Sequence, residues 1–400
     1  MLRGRPLAPY LGPAFLVSVG YMDPGNWATD IAGGARFGYS LLWVLLLANL
    51  MALLLQYLSA KLGLSTGLTY PQLCRAALPR PISIFLWLTA EAAAMATDLA
   101  EFLGAALGFY LLLHVPMLPA ALMTALAVLG ILALYRFGFR AVEFAILGLV
   151  AVIGLAYVFE VSLVNPDWLA VADGVFTPRL SGDSLVIAMG MLGATVMPHN
   201  LYLHSGVILT RRHSDPGVNT QVSRAALIDS ALALNLAWLV NSAMVVMAAG
   251  TFFAHGLAID SIEAAHETLS PLLGQAAAVV FAVALLASGL SSSTTATLAG
   301  QIIIEGFLNV RFALLLRRLI TVIPAIVVLA LGLDAYSILI ASQVALSVQL
   351  PFAILPLVWL TARKDVMGQQ VNNRLTTALA SLAAAIVIGL NVLLLARVAG

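Results

Sequence analysis

Two short groups carry the most chemistry in this chain: Asp23-Pro24-Gly25-Asn26, and half a chain later Met197-Pro198-His199-Asn200. The first offers a carboxylate from Asp23 and an amide oxygen from Asn26. The second offers the thioether of Met197. Each sits beside a proline inside an apolar stretch, and proline removes a backbone donor and clashes with the preceding turn. Both helices are expected to break there, which frees carbonyls such as those of Gly20 and Ala194. One carboxylate, several amide and carbonyl oxygens and one soft sulfur suit a divalent cation. Ca²⁺ and Mg²⁺ prefer all-oxygen shells, whereas a thioether favours first-row and later transition metals. The implied substrates are Mn²⁺, Fe²⁺ and similar ions. A methionine in an apolar helix is ordinarily packing, and an isolated Asp-Pro-Gly is ordinarily a tight turn. Their place at the breaks sets these two apart, because an aspartate inside a membrane span costs ~2.5–3.5 kcal/mol.

A second cluster lies on the third apolar stretch, which carries Glu91, Asp98 and Glu101. Asp98 and Glu101 are three apart and share one helix face. Two buried carboxylates on one face cannot both ionise cheaply, so one holds a proton more readily than usual. That is the chemistry of a proton relay; hydroxyl groups or an arginine satisfying the same carboxylates is the competing account. His199 titrates near neutrality when exposed and suits a relay, a gate or a supporting partner better than direct ligation. His204 reads as structural. Asn49, Gln56, Asn200, Asn241 and Gln343 are polar groups in apolar spans, suited to gating or lining a hydrated path, or to helix–helix contact.

The elements that position these groups follow from composition. The chain is 62% hydrophobic and 9% charged over 400 residues, with mean hydropathy +1.02, against about a quarter charged in soluble domains. It reads as an all-α polytopic membrane protein embedded in a lipid bilayer. A net charge of +1 without a basic tract gives no reason to expect a nucleic-acid partner. The single Cys74 excludes an internal disulfide and reads as an ordinary small residue in a loop. At roughly 20 apolar residues per span, eleven fit, near 9–35, 40–63, 82–110, 117–135, 141–164, 184–210, 226–252, 272–303, 313–333, 336–361 and 376–397. Arg3 and Arg5 before the first read as its cytoplasmic anchor rather than as a signal peptide, because the apolar pattern resumes past Asn26.

With the N-terminus in the cytoplasm and the C-terminus outside, sixteen of the 19 Lys and Arg fall on the cytoplasmic side, and only Arg36, Arg179 and Arg397 do not. That is a strong positive-inside bias. The outer connections are acidic, with Asp260, Glu263 and Glu267 in one and Asp167, Asp173 and Asp183 in another. They can concentrate cations modestly or simply solvate the loops. Spans one and six are the broken ones, five apart, so a five-span unit must point the opposite way in its second copy. The expected organisation is one transmembrane domain with repeats over about 9–164 and 184–361, and an added span over about 376–397. The run from Ala287 to Gly300, rich in small residues, reads as a close-packing interface.

Asp23-Pro24-Gly25-Asn26 in the first span, with Met197-Pro198-His199-Asn200-Leu201-Tyr202-Leu203-His204-Ser205 in the sixth, resembles the Nramp family of proton-coupled divalent metal transporters. The resemblance extends along nearly the whole chain. It implies a LeuT-type 5+5 inverted repeat with an eleventh helix added, and Asp23, Asn26 and Met197 as side-chain metal ligands. It also implies ligation by the carbonyls of Gly20 and Ala194, with Gln343 joining in some conformations. Its proton pathway would run from Asp23 past Asp98 and Glu101 towards Arg317 and Arg318, which also read as positive-inside anchors. The metal is substrate and protons are co-transported, so no resident cofactor is expected. The bacterial inner membrane is the expected location.

Three other functions compete. An amino-acid symporter of the same fold would bind its substrate's carboxylate at a half-helix N-terminus, where Asp23 would repel it. A channel needs a continuous polar lining rather than paired breaks. An intramembrane enzyme would need a catalytic motif such as a His-Glu-x-x-His zinc site, and that motif does not occur.

Overall fold

The computed structural model describes residues 11–213, 216–311 and 314–399, and among them the chain is helical, with no strand. Span one divides into α1 (Pro13–Ser18), a 3₁₀ turn (Val19–Met22) and α2 (Pro24–Phe37). Then follow α3 (Leu42–Thr66), the short α4 (Tyr70–Ala77), α5 (Arg80–Leu113), α6 (Met117–Ala133), α7 (Phe139–Val164) and α8 (Trp168–Phe176). Span six divides into α9 (Leu185–Val196) and α10 (Pro198–Val207). The rest comprises α11 (Pro216–Thr251), α12 (Ile262–Leu273), α13 (Gln275–Leu308), α14 (Leu314–Ala330), α15 (Ala335–Thr361), α16 (Lys364–Met367) and α17 (Arg374–Ala399). Eight helical segments of the described residues are long and apolar enough to cross a membrane, and Pro13–Met22 and Met117–Ala133 are shorter apolar ones.

Both breaks fall where the prolines put them. Pro24 and Pro198 each begin a helix, at the position where a missing N–H costs nothing. Asp23 is the N-cap of α2, its Oδ1 accepting from the Asn26 backbone N–H at 2.7 Å. Met197 joins α9 to α10 with φ 31° and ψ 100°, a conformation costly for a residue with a side chain.

Two apolar clusters hold the helices around the breaks. One gathers α1, α2, α7, α11 and α13, with Trp27 edge-on to Tyr157 and to Phe281 at centroid distances of 5.1 Å. Such ring pairs add about 0.5–1.5 kcal/mol each beyond area burial. The other gathers α3, α4, α9, α15 and α17. The small-residue run of α13 packs directly on α5, as expected: the backbone of α5 at Ala105 leaves no room for a side chain at Gly289.

Some local expectations are corrected. Cys74 is buried on the helix α4 rather than lying in a loop; a capping box between Thr69 and Gln72 starts that helix. The acidic connection around 259–268 contains most of α12, begun by the Ser261 side chain accepting from the Ala264 N–H at 2.9 Å. Arg3, Arg5 and the first residues of span one lie outside the described residues, as do the start of span nine at 313 and the side chain of Arg318.

Candidate functional site

The two breaks meet. Gly20, in the turn before Asp23, has the Asn200 amide and the Met197 Sδ so close that a Cβ there would lie 3.2 Å from the sulfur. Gly25 lies under the side chain of Gln343, whose amide leaves no space for a Cβ. Groups from α2, α10 and α15 and from both break segments therefore converge within one buried region. Asp23, Asn26, Met197, Asn200 and Gln343 are each 0% exposed there.

Several polar atoms in this region have no protein partner. Asp23 Oδ2, both amide atoms of Asn26, Asn200 Oδ1 and Gln343 Oε1 are buried and make no hydrogen bond within the chain. Buried polar groups are nearly always satisfied, so unpartnered oxygens of this kind could hold a cation. Their types also match a divalent ion: one carboxylate, neutral oxygens and the nearby thioether. Among the described residues no three His, Cys, Asp or Glu side chains gather as they would around a resident metal.

The remaining polar residues brace the break. Asn241 Nδ2 donates to the Tyr21 carbonyl at 2.7 Å, and Ser288 Oγ donates to the Met22 carbonyl at 2.5 Å. Asn200 Nδ2 donates to the Val17 carbonyl at 3.3 Å and lies 3.5 Å from Met197 Sδ. The bonds to Tyr21 and Met22 take up carbonyls of the turn at the break. Ser288 belongs to the run expected only to pack; its hydroxyl and Tyr21 were not singled out in the sequence, and nothing local marks either. His204 Nδ1 lies 2.9 Å from Gln56 Oε1, and Gln56 Nε2 donates to the Tyr21 hydroxyl at 2.6 Å. His204 and Gln56 thus form a chain to the turn beside Asp23. Asn49 instead donates to Asn235 Oδ1 at 2.9 Å, between α3 and α11, and joins none of the break residues by a hydrogen bond.

Helix α5 brings the carboxylates alongside. Pro24 packs on Gly104, where no Cβ fits, one turn beyond Glu101. Asp98 and Glu101 are both buried, and Thr97 Oγ1 is 3.3 Å from Nδ1 of His199. The neighbouring Glu91 forms an ion pair with Arg317 of α14, Nη1 to Oε1 2.8 Å. Arg317 is only 2% exposed, lying over Gly300, so it is built into the helix bundle rather than set at its surface.

A cavity of about 770 Å³ is lined by Arg36 of α2, Asp260, and Asp334, Tyr336, Ile340 and Val344 at the start of α15, among others. Val344 adjoins Gln343. Asp334 caps α15, and the bonds it receives from Ser337 and Tyr336 hold its carboxyl below the usual carboxylate range, which keeps it anionic in the cavity wall.

Comparison with known proteins follows the same lines. The family described as Nramp, natural resistance-associated macrophage protein-like, matches residues 14–397. A divalent metal cation transporter, MntH, of Caldanaerobacter subterraneus is 48% identical over 389 residues, covering 96% of this chain and 92% of the relative. The crystal structure of an Eremococcus coleocola manganese transporter superposes with TM-score 0.88 at 38% identity, covering 97% of this chain and 86% of that one. Mhp1, a nucleobase-cation-symport-1 family transporter, superposes with TM-score 0.63 at 14% identity, over 94% and 87% of the two chains, and shares the LeuT-type fold alone.

Proposed function

The chain belongs to the Nramp family, and from that premise we propose that it carries divalent transition-metal ions, Mn²⁺ and Fe²⁺ among them, into the cell with protons by alternating access. The observation that carries this reading is the convergence of Asp23, Asn26, Met197 and Gln343 at the two breaks, with buried oxygens that no protein donor satisfies. Gly20 and Ala194 supply carbonyls to the ion in this scheme. Thioether sulfur favours Mn²⁺ and Fe²⁺ over the hard Ca²⁺.

Proton coupling follows from charge. A dication needs the Asp23 carboxylate ionised, so a proton held there must go elsewhere. Asp98 and Glu101 receive it, with His199 beside Thr97 of the same helix and Arg317 and Arg318 further along. Metal and proton paths diverge, because a dication repels a proton on its own route. Asn49, Gln56, Asn200 and Asn241 act as gate and lining groups. The units that rock are repeats over about 9–164 and 184–361, with an eleventh span over 376–397. The charge bias puts the N-terminus in the cytoplasm and the C-terminus outside a bacterial plasma membrane.

An amino-acid symporter fits less well. The N-terminus of α2, where such a carrier would hold its substrate's carboxylate, is already capped by Asp23. Proteoliposomes with an acid exterior test the proposal. Mn²⁺ uptake that Asp23→Ala abolishes supports it; normal uptake by Asp23→Ala, or none by the parent, overturns it.

A further inference from the structure

The last helix, α17, carries one polar side chain between Leu382 and Ala396, and that is Asn391. An amide among apolar side chains at membrane depth is costly unless its donors are used. Asn391 is 6% exposed, and its Nδ2 donates at 2.9 Å to the Ser347 carbonyl of α15 and at 2.9 Å to the Val387 carbonyl of its own helix.

Ser347 is not an arbitrary acceptor. Its carbonyl would normally bond to the N–H four residues on, which is Pro351, and proline has none. Pro351 lies inside α15, so the ladder is interrupted at that turn, and a neighbouring helix repairs it. The repaired turn is also the one that borders the metal region. Gln343 and Ser347 are four residues apart on one helix face. A Cβ at Gly193 of α9 would meet the Gln343 carbonyl and lie 2.7 Å from the Ser347 N, so this turn of α15 rests directly on the residue before Ala194. On the other side Gln343 reaches over Gly25.

We infer that Asn391 is a positioning residue for metal binding: it ties the proline-interrupted turn of α15 to α17 and so holds Gln343 over the first turn of α2, at the break in span one. The last helix then serves as a brace for the site rather than as an appendage. This rests on the proposed role of Gln343 as a metal ligand. It accounts for a buried amide placed on the one carbonyl that Pro351 orphans.

The test measures Mn²⁺ uptake by proteoliposomes for Asn391→Leu, Asn391→Gln, Gln343→Ala and the double variant Asn391→Leu with Gln343→Ala. Leucine keeps the volume and is favoured in a membrane helix, so folding is retained; thermal unfolding in detergent verifies that. Asn391→Leu is expected to raise KM roughly three- to tenfold, the worth of about one hydrogen bond, with Vmax unchanged. Asn391→Gln, which keeps the donor, recovers part of that rise. The double variant matches Gln343→Ala alone, because a brace has no effect once the braced group is gone. An unchanged KM in Asn391→Leu, a fall in Vmax alone, or additive effects in the double variant would overturn the inference. A silent Gln343→Ala would overturn it too, while loss of uptake in Asp23→Ala would leave the proposed transport standing.

Discussion

Gln343 of α15 lies so close over Gly25 that its amide occupies the space a Cβ would need. The relationship joins a helix far along the sequence to the break in the first span, and it explains why glycine follows Pro24. Any larger residue must displace the Gln343 side chain.

Gly25→Ala is therefore expected to cost about 1–3 kcal/mol of stability through overpacking and to raise the KM for Mn²⁺. Gln343→Ala added to Gly25→Ala makes room for the methyl. The pair should regain the lost thermal stability without regaining affinity. Thermal unfolding and uptake kinetics on the four proteins check both halves.

Under the proposed function, Met197 should set ion choice rather than whether ions move. Its sulfur lies beside Gly20 and Asn200, at the turn that leads into Asp23. Met197→Ala should keep Mn²⁺ uptake with a weaker KM, and Ca²⁺ should become an effective competitor. Competition assays with increasing Ca²⁺ read this directly, and a variant that still rejects Ca²⁺ as the parent does would remove sulfur from the account of selectivity.

Glu91 and Arg317 form an ion pair across α5 and α14, in which the arginine is buried and the glutamate partly buried. Removing one partner of such a pair leaves the other charge stranded and typically costs 3–5 kcal/mol. Glu91→Ala and Arg317→Ala should each lower the unfolding temperature markedly. Replacing both residues by apolar ones of similar volume should cost less than either single change. An additive loss in the double variant would show that the two side chains act separately.

Asp98→Asn should uncouple the proton. Mn²⁺ should still enter down its own gradient, while an acid exterior no longer accelerates uptake and the vesicle interior no longer acidifies. A pH-sensitive dye trapped inside the vesicles distinguishes the two fluxes. Acidification by Asp98→Asn at the parent rate would place the proton route elsewhere.

The broken spans were legible because proline and hydropathy act locally. Pro24 and Pro198 start helices where expected, and long apolar runs became long helices. What the sequence hid was contact between distant segments. Only the family resemblance brought Gln343 to the first break, and nothing near Tyr21 points to Asn241 or to the chain through Gln56 and His204. Arg317 also read as a positive-inside anchor because charge counting cannot distinguish a cytoplasmic loop from an ion pair within the helix bundle. The helices α4 and α12 passed as loops, being too short and too polar to register as spans and started by the side-chain caps of Thr69 and Ser261.

Mn²⁺ binding to the purified protein, followed by calorimetry, tests most directly that the two breaks form one metal site. The account predicts saturable binding at a single site that Asp23→Ala removes and Met197→Ala weakens. Binding of undiminished affinity and stoichiometry in Asp23→Ala would contradict it.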